Sequence, residues 1–351
     1  MNIRKIAERA GVSVATISRV LNHPDLVSPE TRERVYEVMR ENQYTPNWFA
    51  RNLTQKQTRT IAFIYPSNDS TFLQAVADGV EIVALNKKNL VFLCHTNGTA
   101  EMEQEYLELM VQRNVDGIIL FSSRVPQEKI DQVTGLGIPC VHIGREGIDA
   151  ERKNCYINYA DAAAKLTEHM IQMGYSQIYL LLDSMLVNEA DEIKEGFEHA
   201  VGKSPSKLDT DVFVADRSVQ GGMLFAHKMI QTGRMPRALI TSSARQAFGV
   251  MKAARLAGIR IPDDLAIASM TDSSVSTLVD PPLTAVDRPG KRLGMVTARM
   301  LFDCIENREF AAQNAQHVEL LAKLAIRKSC GNKKFIYELF ECGKLIWLTY
   351  L

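Results

Sequence analysis

The chain has 351 residues, of which 46% are hydrophobic and 23% are charged. This length fits two or three domains, and this composition excludes a disordered chain, a collagen and a coiled coil. The formal net charge is zero, yet residues 1–59 carry ten Lys or Arg against six Asp or Glu. We therefore predict a small basic module on a mildly acidic body, with phosphate as the natural partner of the module.

The first 46 residues predict three short helices. Ala7, Gly11 and Ile17 have the spacing of a helix-turn-helix, in which a small residue, a tight turn and an apolar residue join two helices. Ser13 stands at the N-cap position of the second helix, and Ser28 stands at that of the third. Helical modules of this size are typical of DNA-binding domains.

Four blocks in this region match a known pattern in both order and spacing. They are IAERAGVSVATISRVLN (6–22), VSPETRERV (27–35), YTPN (44–47) and ARNL (50–53). They resemble the headpiece of the lactose/galactose repressor (LacI/GalR) family of bacterial transcription regulators. The resemblance implies that residues 1–46 form a DNA-binding headpiece whose second helix lies in the major groove.

The resemblance also implies which side chains contact DNA. Arg19 would bind a guanine, whereas Val14 and Ala15 would offer apolar contacts to bases. Phosphate contacts are expected from Ser13, Thr16, Ser18 and Asn22. For Ser18, a solvated helix face is an equally good interpretation. The later blocks add Tyr44, Asn47, Ala50, Arg51 and Leu53.

Residues 47–59 predict a hinge helix and a linker. A helix of about seven residues is not stable alone in water. The resemblance implies that it pairs with the hinge helix of a second copy in the minor groove, where Leu53 would insert between base steps. Trp48 and Phe49 alternatively pack against the headpiece.

From residue 60 onward, short apolar runs alternate with helical segments. This pattern is typical of parallel strands that helices cover on both faces. The runs form two series: 61–65, 91–94, 117–121 and 138–143, and then 178–182, 212–214, 238–241 and 265–270. The predicted fold is an all-α helix-turn-helix headpiece plus an α/β bilobed core with two parallel-sheet subdomains, and ligands of such cores bind between the lobes.

Blocks up to residue 330 extend the resemblance through this body. It implies a core like the periplasmic binding proteins, with an N-subdomain of residues 60–158 plus 290–317 and a C-subdomain of residues 159–289 plus 318–330. Residues 331–351 form an apolar tail outside the resemblance. The alternatives for this tail are an oligomer interface, an element that covers the body, or non-native sequence.

The expected effector cleft departs from the family pattern. Ile193 stands where sugar-binding members have Arg, and Thr271 replaces the first Asp of an Asp-Asp pair. The cleft positions are Ser70, Phe72, Arg145, Ile193, Ser243, Arg245, Thr271 and Asp272. Because charged forks and carboxylates hold sugar hydroxyls, their loss predicts a changed effector, a protein co-regulator or no effector.

Taken together, these features predict a sequence-specific regulator, interpreted as a repressor, that binds a pseudo-palindromic DNA operator as a homodimer or tetramer. The main alternative is a solute-binding protein of the sugar-binding fold without a DNA role. The chain has no catalytic motif, so we expect no enzyme activity. Scattered cysteines, no signal segment and no apolar run of 18 residues predict a cytoplasmic, nucleoid-associated protein without cofactor, metal or membrane contact.

Overall fold

The computed structural model describes residues 3–22, 24–44, 57–66, 71–121, 125–145, 153–183, 187–307 and 316–332. The chain divides into two compact units, residues 1–58 and 59–351. Each unit has its own hydrophobic core.

The first unit contains the three predicted helices. They are α1 (Ile3–Arg9), α2 (Val14–Asn22) and α3 (Pro29–Glu41), with a 3-10 turn at Pro24–Leu26. Ile6, Ile17 and Val35 are fully buried between them. Gly11 joins α1 to α2 with a φ of 62°, a backbone conformation that costs little only for glycine. The helix-turn-helix prediction is confirmed.

The second unit contains two six-stranded sheets. The strands are β1 (Thr60–Tyr65), β2 (Leu90–His95), β3 (Gly117–Phe121), β4 (Cys140–Ile143), β5 (Asn154–Ile157), β6 (Gln177–Asp183), β7 (Asp209–Ala215), β8 (Ala238–Thr241), β9 (Ala266–Ser269), β10 (Thr284–Asp287), β11 (His317–Leu320) and β12 (Lys323–Ala325). The first sheet has the order β11-β5-β4-β3-β1-β2 and is parallel throughout. The second has the order β12-β10-β9-β8-β6-β7, and only its β10–β12 pair is antiparallel.

Helices connect these strands and cover both sheets. They are α4 (Thr71–Asn86), α5 (Ala100–Gln112), α6 (Gln127–Gly135), α7 (Tyr159–Gln172), α8 (Val187–Gly202), α9 (Val219–Gln231), α10 (Ala244–Leu256) and α11 (Gly290–Glu306). The strand runs predicted from the sequence all occur. Strands β5 and β10 to β12 were not predicted; of these, β11 and β12 pair with segments far away in the sequence.

Close helix packing explains one of the glycines of the body. A side chain at Gly196 of α8 would collide with the backbone carbonyl oxygen of Ala160 in α7. Glycine therefore allows α7 and α8 to cross closely. The following residue, Phe197, is fully buried in the largest core cluster.

One predicted boundary differs from the structure. The sequence placed residues 318–330 in the second lobe, but β11 covers His317–Leu320 and pairs with β5 in the first sheet. The chain therefore passes to the second sheet between Leu320 and Lys323, where β12 begins. The prediction was wrong because the parallel pairing with β5 joins segments that are about 160 residues apart.

The largest core cluster contains side chains from both lobes. Phe63 and Phe121 come from the first sheet, Leu180 comes from the second, and Ile193 comes from α8 beside the second sheet. The two lobes therefore share apolar contacts around the cleft.

Candidate nucleic-acid interface and ligand cleft

Helix α2 is fixed at its first turn by Ser13. The Ser13 Oγ accepts a hydrogen bond from the Thr16 N–H at 3.0 Å, and the Ser13 carbonyl accepts one from the Ile17 N–H at 3.1 Å. These bonds satisfy backbone donors that a helix start leaves unpaired. Ile17 and Val20 are fully buried, so the opposite face of α2 is directed outward.

The outward face carries most of the predicted DNA contacts. Val14, Ala15, Ser18 and Arg19 are exposed together with the capping Ser13. This face therefore offers apolar groups and one guanidinium, as direct contacts with base edges require.

Three other residues that the sequence predicted to contact DNA differ in their exposure. Thr16 is half-buried, and its Oγ1 lies 2.9 Å from the Ser13 Oγ. Tyr44 is half-buried against the headpiece core, with its N–H donating to the Met39 carbonyl at 2.9 Å. Asn22 is the last residue of α2, and its side chain lies outside the described part of the chain.

The remaining hinge and loop positions are not among the described residues. They are Asn47, Ala50, Arg51 and Leu53 of the predicted hinge and Ser70 of the predicted cleft.

Three predicted cleft residues use their polar groups inside the protein or have none. Ile193 is buried in the core. The Ser243 Oγ accepts from the Arg245 N–H at 3.2 Å and caps α10. The Thr271 Oγ1 accepts from the Ala244 N–H at 2.8 Å. Ser243 and Thr271 therefore each use one acceptor site at the start of α10, and Ile193 offers no polar group at all.

Asp272 forms a two-pronged ion pair. Its carboxylate oxygens lie 2.9 and 2.6 Å from the two terminal nitrogens of Arg327. Burial by itself raises the pKa of Asp272, but hydrogen bonds from Arg327, Ser276 and the Ser273 backbone outweigh it, so the pKa is lower than usual. Asp272 is thus ionised and paired within the second lobe.

Two arginines cross the cleft. Arg145, after β4 of the first lobe, lies 3.7 Å from the Glu192 carboxylate of α8 and 5.3 Å from the centre of the Tyr156 ring. Arg288, after β10 of the second lobe, lies 3.8 Å from the centre of the Phe72 ring. Both contacts join the two lobes through charged or cation–π interactions.

Arg288 also donates a hydrogen bond to the Tyr159 hydroxyl at 3.2 Å. Burial raises the pKa of Tyr159, which keeps this hydroxyl neutral. On the second lobe, the buried Asp183 at the end of β6 lies 3.6 Å from the Arg217 guanidinium. The cleft is therefore lined by charges that the protein pairs with one another.

The space that remains in the cleft is small at its centre. A cavity of about 30 Å³ is lined by Phe121, Ile143, Gly144, Arg145, Tyr156, Ile157, Tyr159, Glu189, Glu192 and Leu293. Two water molecules would fill it, whereas ligand pockets usually measure about 300–1,000 Å³. A second, wider groove of about 380 Å³ has Phe72, Asp272, Arg288 and Arg327 in its lining.

The sequence indicated Phe72, Arg145 and Asp272 but missed Tyr156, Tyr159, Glu189, Glu192 and Arg288. One available signal was position: Glu192 precedes Ile193, and Arg288 follows a strand at a crossing between the lobes. The contacts themselves join residues far apart in the chain, so spacing could not reveal them.

Within the described ranges, no group of three or more His, Cys, Asp or Glu is arranged to hold a metal ion. The cysteines seen there, Cys94, Cys140, Cys155, Cys304 and Cys330, are free thiols. None of the helices described there is both long and apolar enough to span a bilayer.

Comparisons with known proteins cover both units. Residues 2–47 match the bacterial regulatory proteins of the lacI family, and residues 167–330 match a periplasmic binding protein-like domain. The ribose operon repressor of Halalkalibacterium halodurans is 33% identical over 328 residues, which are 93% of this chain and 96% of the relative. Catabolite control protein A of Staphylococcus epidermidis is 28% identical over 314 residues, which are 90% and 95% of the two chains.

The fold agrees with these relatives. A solved structure of the lac repressor dimer bound to operator and the anti-inducer ONPF is 22% identical, with a TM-score of 0.83 over 94% of this chain and 99% of that chain. A helix-turn-helix unit, a bilobed parallel-sheet core and a relative at 33% identity across nearly the full length all point the same way. The chain therefore belongs to the lacI family of bacterial regulatory proteins, which are DNA-binding transcription regulators.

Proposed function

We propose that this protein represses transcription by binding a pseudo-palindromic operator as a homodimer. The observation that carries the proposal is α2, whose first turn is capped by Ser13 and whose outward face exposes Val14, Ala15 and Arg19. In the major groove, Arg19 would donate two hydrogen bonds to a guanine, and the apolar pair would contact thymine methyl groups. Ser13, Ser18 and Asn22 would bind phosphates and fix the register.

The hinge completes the interface in this proposal. Asn47, Ala50, Arg51 and Leu53 would lie in the minor groove, with Leu53 inserted between base steps of the operator. Pairing of two hinge helices on DNA would make their folding depend on binding. Residues 1–46 would then recognise the operator. Residues 47–59 would couple folding to DNA binding, and the two lobes would regulate that coupling.

The homodimer has support from the edge of the first sheet. Leu90 and Phe92 of the edge strand β2 are exposed, and Leu85 at the end of α4 is exposed beside it. An apolar edge strand invites pairing with another chain unless it is covered. A second copy of the chain would cover this edge and would also supply a second headpiece. Two headpieces are needed because one contacts too few bases for useful specificity.

The cleft would work differently from a sugar-binding one. Arg145 and Arg288 link the two lobes through their own contacts, and Ile193 and Thr271 replace groups that would hold hydroxyls. These observations support a changed effector over a sugar, with a protein co-regulator or no effector as the alternatives. A transcription regulator of this kind would act in the cytoplasm, at the nucleoid.

The test is selection of duplexes from random DNA by the full-length protein. We expect enrichment of a pseudo-palindrome with a guanine at equivalent positions of both half-sites, one for each Arg19. Recovery of sequences without any shared motif would contradict the proposal.

A further inference from the structure

The centre of the cleft combines acidic and aromatic groups. Two carboxylates, Glu189 and Glu192, line the cavity together with the rings of Phe121, Tyr156 and Tyr159. Carboxylates beside aromatic faces are the groups that bind organic cations. Among the described residues that line this cavity, Arg145 is the cation that stands beside the two carboxylates.

The guanidinium of Arg145 shows where a cation contacts the wall of this cavity. Its guanidinium lies over the Tyr156 ring at 5.3 Å from the centroid and 3.7 Å from a Glu192 oxygen. The second distance is longer than a charge-assisted hydrogen bond, which measures about 2.7–2.9 Å. The Arg145 side chain is also 41% exposed, so solvent weakens this ion pair.

The partners of Arg145 are held more firmly than Arg145 itself. The Glu192 side chain is only 17% exposed, and its Oε2 accepts a hydrogen bond from the Tyr159 N–H at 3.3 Å. Two further arginines have partners of their own: Arg288 lies over Phe72 and donates a hydrogen bond to the Tyr159 hydroxyl, and Arg217 lies beside Asp183. The Glu192 carboxylate is therefore held in position, and Arg145 is the group that a ligand can displace from it.

From this arrangement we propose that the cleft binds a small organic cation, a guanidinium or primary ammonium compound, which displaces Arg145 from Glu192 and Tyr156. This inference rests on the proposed function, for which it names the class of effector. An anionic effector such as a sugar acid would face two carboxylates and is disfavoured. A neutral sugar would find Ile193 and the internally bonded Thr271 where it needs charged partners.

The size of the cavity limits the ligand. The free volume is about 30 Å³, to which a departing guanidinium adds the space of its own head group. The cationic group of the ligand is therefore no larger than that of arginine.

Calorimetric titration of the full-length protein with methylguanidinium tests this inference, with N-methylurea as the neutral probe of the same shape, at constant ionic strength. We expect saturable binding of methylguanidinium and none of N-methylurea. Arg145→Met keeps the apolar stem but removes the competing charge, so we expect about tenfold tighter binding, which is about 1.4 kcal/mol.

Two variants examine the carboxylates, and one serves as their control. Glu192→Gln should weaken binding about tenfold, and Glu189→Gln should weaken it in the same direction. Glu198→Gln removes a charge from an exposed pair with Lys194 on the same helix and should leave binding unchanged. If Glu192→Gln fails to unfold cooperatively on heating, Glu189→Gln decides between the outcomes.

Several results would overturn the inference. They are equal binding of N-methylurea, binding of gluconate in place of the cation, no gain from Arg145→Met, or binding only after that substitution. Operator binding without ligand is measured separately. A chain that binds operator but no cation would overturn this inference alone, whereas one that binds the cation but no operator would overturn the proposed function.

Discussion

Arg19 is the side chain on which sequence discrimination should depend most. It is exposed on α2, one turn after Val14 and Ala15, on the face opposite the buried Ile17. A bidentate contact with guanine contributes about 1–3 kcal/mol to discrimination between bases. Phosphate contacts from Ser13 and Ser18 would persist without it and hold the protein on any duplex.

Arg19→Ala should therefore reduce the preference for the selected operator over a variant lacking the guanine by about 10- to 100-fold, as measured by fluorescence anisotropy. The control is Arg40→Ala, which removes the same charge from an exposed ion pair with Glu33 on α3. That control should affect both duplexes alike. An Arg19→Ala protein that still distinguishes the duplexes as well as the original would exclude this role for Arg19.

Asp272 is a cleft residue that contributes to the stability of the folded chain. Its ion pair with Arg327 lowers its pKa, so the pair stabilises the folded chain above the ordinary carboxyl pKa near 4. This contribution disappears as the pH falls through the lower folded pKa, because the protonated carboxyl no longer pairs.

Asp272→Asn should lower the free energy of unfolding by about 3 kcal/mol at pH 7, since it leaves Arg327 half-buried without its anion. The difference from the original protein should shrink as the solution is acidified toward pH 3. Urea unfolding followed by circular dichroism measures it, with the exposed Asp78→Asn on α4 as control. An equal loss for the two variants, or a loss independent of pH, would contradict this role.

At the scale of elements, the helix crossing at Gly196 explains why glycine occurs in α8. The backbone of α7 passes so close that a methyl group would meet the Ala160 carbonyl oxygen. Overpacking of this kind typically costs about 1–3 kcal/mol.

Gly196→Ala should destabilise the core by about that amount in urea unfolding. Gly202→Ala is the matched control, because Gly202 is on the same helix and no atom lies within 4 Å of an added methyl group. Since alanine favours helix more than glycine does, the control should be neutral or slightly stabilising. If the two variants were equally stable, the crossing at Gly196 would not be the constraint.

The edge strand β2 gives a prediction about assembly. Leu90→Glu combined with Phe92→Glu should convert a dimer into a monomer in sedimentation equilibrium, because both copies would place like charges at the shared face. Leu136→Glu, an equally drastic change at an exposed leucine after α6, should leave the mass unchanged. A double variant that keeps the mass of the original protein would place the dimer interface elsewhere.

Elements with a local signal could be predicted from the sequence. Buried strands such as Gly117–Phe121 appear as continuous apolar runs, and helix starts such as Ser28–Pro29 carry their own capping residues. Strand β11 could not be predicted, because its four residues are fixed only by pairing with β5 far along the chain. The contacts of Arg145 with Glu192 and of Arg288 with Phe72 could not be predicted for the same reason. These residues are far apart in the sequence and meet only in the folded chain.

At the scale of the whole molecule, charge is separated along the chain. The net charge is zero, but the basic excess lies in the first 59 residues. DNA binding by such a protein should depend on salt through release of counterions from phosphates.

We expect operator affinity to fall by about 10³- to 10⁵-fold between 50 and 200 mM salt if two headpieces contact about six to ten phosphates in total. A titration of affinity against salt concentration gives the slope. The uncharged variant Arg19→Ala should reduce that slope little, because a base contact neutralises no phosphate. An affinity that does not change with salt would show that the basic headpiece does not contact the DNA backbone.

The most direct measurement compares the affinity of the full-length protein for its selected duplex with that for a scrambled duplex of the same composition, at 150 mM salt. Two headpieces on two half-sites should give a preference of at least about 10³-fold, and a duplex with one half-site should lose most of it. Equal affinity for the selected and scrambled duplexes would contradict sequence-specific binding by paired headpieces.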